Sequence, residues 1–433
     1  MTTNNRRRRI KVAAVGAFLS FDVRISVYLE ALKQSLADRV AFIILNTAAP
    51  RHILPDLRLT TLVIQAPPDC QDIFPTNCEP GTAAASGLPD PNLDCLAWAR
   101  DSLQLVYPRL TRSSATNYAA AFYRYAMEFL EDWRPALLLI WNQFVPFHYV
   151  LGELAKARGL RVIYMEYGVL PGSFSFDRAG QVGESFPAAR PDEFNRLEIL
   201  PADEQRMARH LEALRLSGRS HRPQPTVPGP GSLLAALNPG RPTIFYAGQS
   251  DGDAGLAPYT VRARHSHSPL FADSLEALYA LDQLAYRNKW NLIFKPHPIV
   301  WRKGSQPLKR DLKATLVLPE ADINVLIDRA DLITTIVSQC SYLALIRQKP
   351  VLMMGYNALK CSGAVYRGWS LETLEQEFQR ALAGGYRQEM KSAFLRHAAR
   401  LARHYLYADH PEGREPYAGT VEDCAAHLLD WAD

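Results

Sequence analysis

The chain has 433 residues, 48% of them hydrophobic and 21% charged, with a formal net charge of +5. That exceeds one ordinary core and fits two domains of roughly 150–200 residues each, and the composition excludes a disordered or collagen-like chain. Cys70, Cys78, Cys95, Cys340, Cys361 and Cys424 show neither C-x-x-C nor Cys/His ligand spacing, so neither a zinc site nor a disulfide framework is indicated.

In chain order, Arg6, Arg7, Arg8 and Arg9 come first, ahead of an apolar stretch at 10–20. Such a run either hangs in solvent or holds an anionic membrane surface, at about 1 kcal/mol per residue. No aromatic-interleaved basic stripe follows, which argues against nucleic acid as a partner. The apolar stretch is too short for a bilayer span, and Asp22 and Arg24 stand where a signal peptide would carry its small-residue cleavage site. It reads as a first buried strand, 10–15, of a cytoplasmic protein.

Further strands are expected at 40–45, 136–140 and 161–164, alternating with helical periodicities at 27–36 and 117–133. The second helix carries Tyr118, Phe122, Tyr125 and Phe129, an aromatic stripe read as core packing. Residues 67–91, rich in Pro, Gly, Asp and Ala without a period, read as a long loop of the lid or acceptor-surface kind. Residues 217–242 hold six prolines and four glycines and read as an interdomain linker. Strands then follow at 243–247, 291–294, 315–318, 332–336 and 351–354, separated by helices at 271–287, 324–328 and 342–347. Closing helices are expected at 371–382, 391–405 and 421–431. The alternation of strand and helix predicts α/β architecture with parallel sheets. The boundaries are a Rossmann-like domain over 1–216, the linker, a second Rossmann-like domain over 243–410, and a tail, 411–433, whose helix crosses back to the first domain.

No G-x-G-x-x-G, Walker loop, H-E-x-x-H or G-x-S-x-G is present, so nicotinamide enzymes, P-loop ATPases, zincins and α/β-hydrolases lack support. The polar residues that stand out each follow a predicted strand, where an open parallel sheet binds its ligands. Lys295-Pro296-His297-Pro298 holds a lysine and a histidine on a proline-stiffened backbone, a combination suited to a phosphate that gains charge as it leaves. The hydroxyl-rich turn 334–341 includes Ser338 and Ser341 and leads into a helix. Gln249-Ser250-Asp251-Gly252-Asp253 follows the strand at 243–247, and Glu166-Tyr167-Gly168-Val169-Leu170-Pro171 follows the one at 161–164. Two carboxylates from opposite domains suit glycosyl transfer, one trapping an oxocarbenium-like centre and one doing acid/base work. Asp251-Gly252-Asp253 also reads as a D-x-D metal pair.

These stretches resemble the retaining β-Kdo transferases of bacterial capsule and O-antigen synthesis, Kdo being 3-deoxy-manno-octulosonic acid. The likeness covers about 136–355: E-x-G-x-L-P at Glu166, Q-x-x-x-D at Gln249 and Asp253, His267-Ser268-Pro269-Leu270, His297-Pro298, and Ser338 with Ser341 ahead of Lys349-Pro350-Val351. The resemblance implies a GT-B fold, two Rossmann-like domains facing a central cleft, with CMP-β-Kdo as donor and a glycolipid or polysaccharide as acceptor. It implies Asp253 as nucleophile, Glu166 as acid/base, and His297, Ser338 and Ser341 on the CMP phosphate. Lys295 adds charge, and Gln249 and Pro298 belong to the donor-site motifs. No metal or other cofactor is implied. The family often has Asn where Tyr167 and Val337 stand. Arg262, Arg264, His265 and His267 are candidate partners for the sugar carboxylate. Two other readings stay open: a sialyltransferase-like CMP-sugar enzyme, and a non-catalytic nucleotide- or sugar-binding subunit of capsule export. The implied location is cytoplasmic, with peripheral contact at the inner membrane through the four arginines.

Overall fold

The computed structural model describes residues 12–15, 23–36, 40–43, 45–46, 62–63, 93–220, 235–302, 308, 310–410, 413, 415–417 and 419–432. The arginine run, the loop expected at 67–91, Cys70, Cys78 and the middle of the linker lie outside them. The chain divides into two compact units, one of Met1–Gly168, Gly172–Gln181 and His404–Asp433, the other of Val169–Pro171 and Val182–Arg403. Each is α/β and Rossmann-like, the fold class the sequence implies.

In the first unit β1 (Val12–Val15) pairs in parallel with β2 (Val40–Ile43), and β3 (Leu45–Asn46) with β4 (Leu62–Val63). β5 (Leu137–Trp141) runs parallel to β6 (Arg161–Tyr167), and β7 (Ser173–Asp177) returns antiparallel to β6. The strand Leu406–Ala408 adds to β7, again antiparallel. Strand alternation divides the sheet's faces. Leu137, Leu139, Trp141, Ile163, Met165, Phe174 and Phe176 pack on helices Val23–Leu36 and Val421–Ala432. The opposite face carries Ile140 and Tyr164, which meet helix Pro146–Ala157 so closely that a Cβ on Gly152 would lie 3.3 Å from each. Helix Arg112–Trp133, capped by Thr111, buries Tyr118, Phe122 and Phe129 of the expected aromatic stripe and half-buries Tyr125.

Among the described residues the second unit holds six strands, β8 (Thr243–Ala247), β9 (Asn291–Lys295), β10 (Thr315–Val317), β11 (Leu332–Thr335), β12 (Val351–Met353) and β13 (Tyr366–Arg367). They pair in parallel in the order β10-β9-β8-β11-β12-β13. That is the 3-2-1-4-5-6 order of a doubly wound sheet, whose switch point lies between β8 and β11. The short strands β7 and β13 and the strand Leu406–Ala408 were not anticipated, nor were the helices Leu93–Val106 and Pro146–Ala157.

The expected division at 216 is displaced to 181. Helices Pro191–Arg196 and Pro201–Ser217 belong to the second unit, where Asn195 donates to the Cys361 carbonyl (3.0 Å), Arg400 to the Leu197 carbonyl (2.9 Å) and Arg403 to the buried Asp203 carboxylate (2.7 Å). The chain returns to the first unit at His404 and not at 411. A Pro/Gly-rich stretch marks where a chain bends, and says nothing of which core takes the helices before it.

The turn Val182–Glu184 is locked within the second unit. Gly183 approaches so near the Ser266 carbonyl oxygen that a Cβ would lie 1.6 Å from it. Glu184 accepts from Arg262 Nη2 at 2.7 Å and from Arg262 Nε, with His267 Nε2 at 3.6 Å. Burial raises the Glu184 carboxyl, but the guanidinium and imidazole outweigh it and hold the group at about 2, below the ordinary 4.5. A carboxyl depressed in the folded state stabilises fully above its ordinary value, and the stabilisation fades as pH falls from 4.5 toward 2. Glu184→Ala is expected to cost about 3 kcal/mol at pH 7, the scale of breaking a buried pair. Urea denaturation should show the gap from wild type closing below pH 4.5.

Candidate functional site

At the carboxyl end of β8 the chain passes under β9. Gly248 donates to the Lys295 carbonyl at 3.0 Å, and a Cβ there would sit 3.1 Å from the Phe294 ring. Gln249 and Asp251, both buried, then form a knot with Ser274, the first residue of helix Ser274–Asn288. Ser274 gives its backbone amide (3.1 Å) and hydroxyl (2.7 Å) to Asp251 Oδ1, and the Gln249 amide nitrogen donates to Asp251 (3.0 Å) and to the Ser274 oxygen (2.8 Å). Thr335, at the end of β11, donates to the Ala247 carbonyl at 2.8 Å. Leu256 N–H closes a turn onto the Asp251 carbonyl (2.9 Å), and the same turn leaves Asp253 exposed, accepting from the Ser250 hydroxyl at 2.7 Å.

The two carboxylates of the D-x-D reading thus face different surroundings, Asp251 the protein interior and Asp253 solvent, so they do not converge as a metal pair. Among the described residues no group of three or more His, Cys, Asp or Glu is placed to hold a metal ion. Gln249, expected at the donor, is an internal brace.

After β9, Lys295 is buried and its ammonium donates to the Pro319 carbonyl at 2.7 Å. Pro296 is buried too, while His297 is half-buried and its carbonyl receives Trp301 N–H (3.0 Å), opening the short helix Pro298–Arg302. Pro298 is exposed at the start of that helix. A small pocket lies here, lined by Gly248, Gln249, Ser274, Phe294, His297 and Trp301 among others.

Beyond β11, Ser338 is half-buried and its hydroxyl oxygen accepts from Cys340 N–H at 3.2 Å. Ser341, expected on the phosphate, is wholly buried: it donates to the Ser338 carbonyl (2.8 Å) and accepts from Asn357 (3.4 Å). Its spacing is that of a turn brace. Of the basic group after Asp253, Arg262 and His267 are engaged with Glu184, while Arg264 and His265 are exposed.

In the first unit Glu166 is half-buried at the end of β6. Its Oε2 accepts from Gln181 Nε2 (3.3 Å) and its Oε1 from Tyr167 N–H (3.3 Å). Gln181 Oε1 in turn receives Gln143 N–H at 2.6 Å, from the loop after β5. Also after β5, His148 is fully buried with Nδ1 donating to the Trp141 and Asn142 carbonyls (2.5 and 3.0 Å), and burial pushes its imidazole down to about 4. It is a neutral ring at physiological pH. Sequence reasoning missed Gln181, Gln143, His148, Glu184 and Ser274. Only Ser274 was signalled, by the helix-start pattern of Asp273 followed three residues on by Glu276.

No family model matches the chain, and no curated protein matches it. Among solved structures it is similar to KpsC of Thermosulfurimonas dismutans, beta Kdo 2,7 transferase, at 17% identity and a TM-score of 0.43 over 78% of this chain and 97% of that one. It is similar to KpsC, beta Kdo 2,4 transferase, of the same organism at 18% identity and a TM-score of 0.44, over 67% and 86%. The spinosyn rhamnosyltransferase SpnG aligns over 97% and 99%, at 13% identity and a TM-score of 0.35.

The different roles of the two aspartates are separable by stability. Asp251→Ala is expected to cost about 3 kcal/mol, because it strands the buried donors of Ser274 and Gln249. Asp253→Ala, at an exposed position, should stay within about 0.5 kcal/mol of wild type in the same urea titration.

Proposed function

We propose that this chain is a glycosyltransferase that moves Kdo with retention from CMP-β-Kdo to a glycolipid or polysaccharide acceptor of capsule or lipopolysaccharide synthesis. The observation that carries the reading is the placement of Asp253, His297 and Ser338 after the carboxyl ends of β8, β9 and β11, three adjacent strands about the switch point of a doubly wound sheet. An exposed carboxylate, an imidazole and a hydroxyl at one sheet edge match what a leaving nucleoside monophosphate and a reacting anomeric carbon require.

In this reading Asp253 attacks the anomeric carbon as the carbon–oxygen bond to phosphate breaks, and CMP leaves with the bonding pair. His297 and Ser338 steady the charge gained by the phosphate. An acceptor hydroxyl then displaces the glycosyl-aspartate, restoring the Asp253 carboxylate and giving its proton to a general base, the part the family resemblance implies for Glu166. Two inversions give retention. Arg264 and His265, exposed on the helix Val261–Ser266, are the remaining partners for the carboxylate of the sugar. Lys295 contributes charge from below the edge and not contact.

A thermal-shift screen with CMP, CDP, UDP and GDP tests the nucleotide. CMP at about 100 times its dissociation constant should add roughly 2.7 kcal/mol of stability, and this gain should be lost in His297→Ala. Asp253→Ala should reduce transfer by several orders of magnitude and still bind CMP. Donor without acceptor should leave one Kdo mass on the peptide holding Asp253. CMP binding without turnover on any acceptor would instead favour a binding subunit.

No helix among the described residues is long and apolar enough to cross a membrane. We assign Arg6, Arg7, Arg8 and Arg9 to peripheral contact with anionic lipid, worth about 1 kcal/mol each near the surface. Deleting residues 1–9 should weaken sedimentation with phosphatidylserine vesicles and leave transfer to a soluble acceptor unchanged. Equal sedimentation of the two proteins would remove the assignment.

A further inference from the structure

We infer that Gln181 is a positioning residue for Glu166, holding that carboxylate in place and in its ionised form. The inference rests on the acid/base reading of Glu166 only for its catalytic meaning.

Two features make the arrangement directional. Gln181 is buried, and its amide is oriented by backbone groups on both sides: Oε1 must face the Gln143 N–H (2.6 Å), and the amino group must face the Met165 carbonyl (3.0 Å). The second hydrogen of that amino group then has one acceptor, Glu166 Oε2 at 3.3 Å. A side-chain amide locked this way cannot turn to donate elsewhere or offer its oxygen to Glu166. Donation to a carboxylate favours its charged form, which is the form a general base needs.

Among the described residues, Asp177, His148 and Arg24 near this edge are each engaged with partners of their own. The strand register puts Asp177 on the same face as Glu166, where it accepts from Ala179 N–H (2.7 Å), Gly180 N–H (3.3 Å) and the Tyr405 hydroxyl (2.7 Å). His148 is held neutral by burial. Arg24 lies 5.1 Å over the Tyr167 ring, on the opposite face of the sheet, and pairs with Asp409 at 3.1 Å. Gln181 is a described side chain that donates to Glu166 directly.

The test follows the Glu166 carboxyl by carbon-13 NMR in protein labelled at the glutamate carboxyls, with the resonance identified by its loss in Glu166→Gln. Gln181→Leu should raise the titration midpoint of Glu166 by about one pH unit, since it removes the donor to the charged form. Gln181→Glu keeps an acceptor for the Gln143 amide but sets a second carboxylate beside the first; with folding checked by circular dichroism, it should raise the midpoint further. With CMP-β-Kdo as donor, kcat in Gln181→Leu should fall about tenfold and the acidic limb of the profile should move up with the midpoint, while donor KM stays unchanged. A midpoint that does not move in either variant overturns the inference. Full-rate transfer by Glu166→Gln would remove the catalytic reading of Glu166, and the NMR titration would still decide the part played by Gln181.

Discussion

Asp251 lies 3% exposed, its charge answered by the Ser274 amide and hydroxyl and by the Gln249 side chain. An unpaired carboxylate in that position would cost several kcal/mol, so the interior is built to meet it. The two Ser274 donors come from the first turn of the helix Ser274–Asn288, whose positive dipole end suits a negative charge. Through this one group the end of β8 is tied to the start of a helix, and through Gln249 and Thr335 the neighbourhood extends to β11. The outward turn that exposes Asp253 begins from the same residue.

Burial elsewhere decides which groups at this sheet edge carry charge. Cys340 sits in the serine-bearing turn, yet burial pushes its thiol up to about 12 despite the pull of Lys295, so a thiolate nucleophile is absent at neutral pH. His397, bonded to the Tyr342 hydroxyl at 3.0 Å and near Cys361, is driven down to about 3 by burial and stays neutral. These are packing groups with polar atoms satisfied internally. Asp253 and His297 remain as groups that solvent, and hence a ligand, can reach.

Several features were legible in the residues. The strands at 243–247, 291–294, 315–318, 332–336 and 351–354 each fall within a residue of the observed β8, β9, β10, β11 and β12, because short apolar runs between polar turns are the direct imprint of a sheet buried on both faces. Asp253, the nucleophile the resemblance implies, is exposed, and Asp251 is buried. Gln249, Lys295 and Ser341, expected at the donor, are buried and bonded to protein groups, since a polar residue after a strand serves equally as ligand or as brace, and only its neighbours distinguish the two. Gln181 and Glu184 left no local mark at all: their partners, Glu166 and Arg262, stand 15 and 78 residues away.

The sequence by itself determined the α/β class, the two-core size of the chain and the strand ends where polar chemistry collects, because hydrophobic periodicity and turn residues are local and physics reads them locally. Only the tertiary structure decided that 182–217 belong to the second core, that the chain returns to the first at His404, and which of two aspartates turns inward. Those outcomes depend on desolvation and on hydrogen-bond partners brought together from distant parts of the chain, and neither is written in the order of residues around a motif.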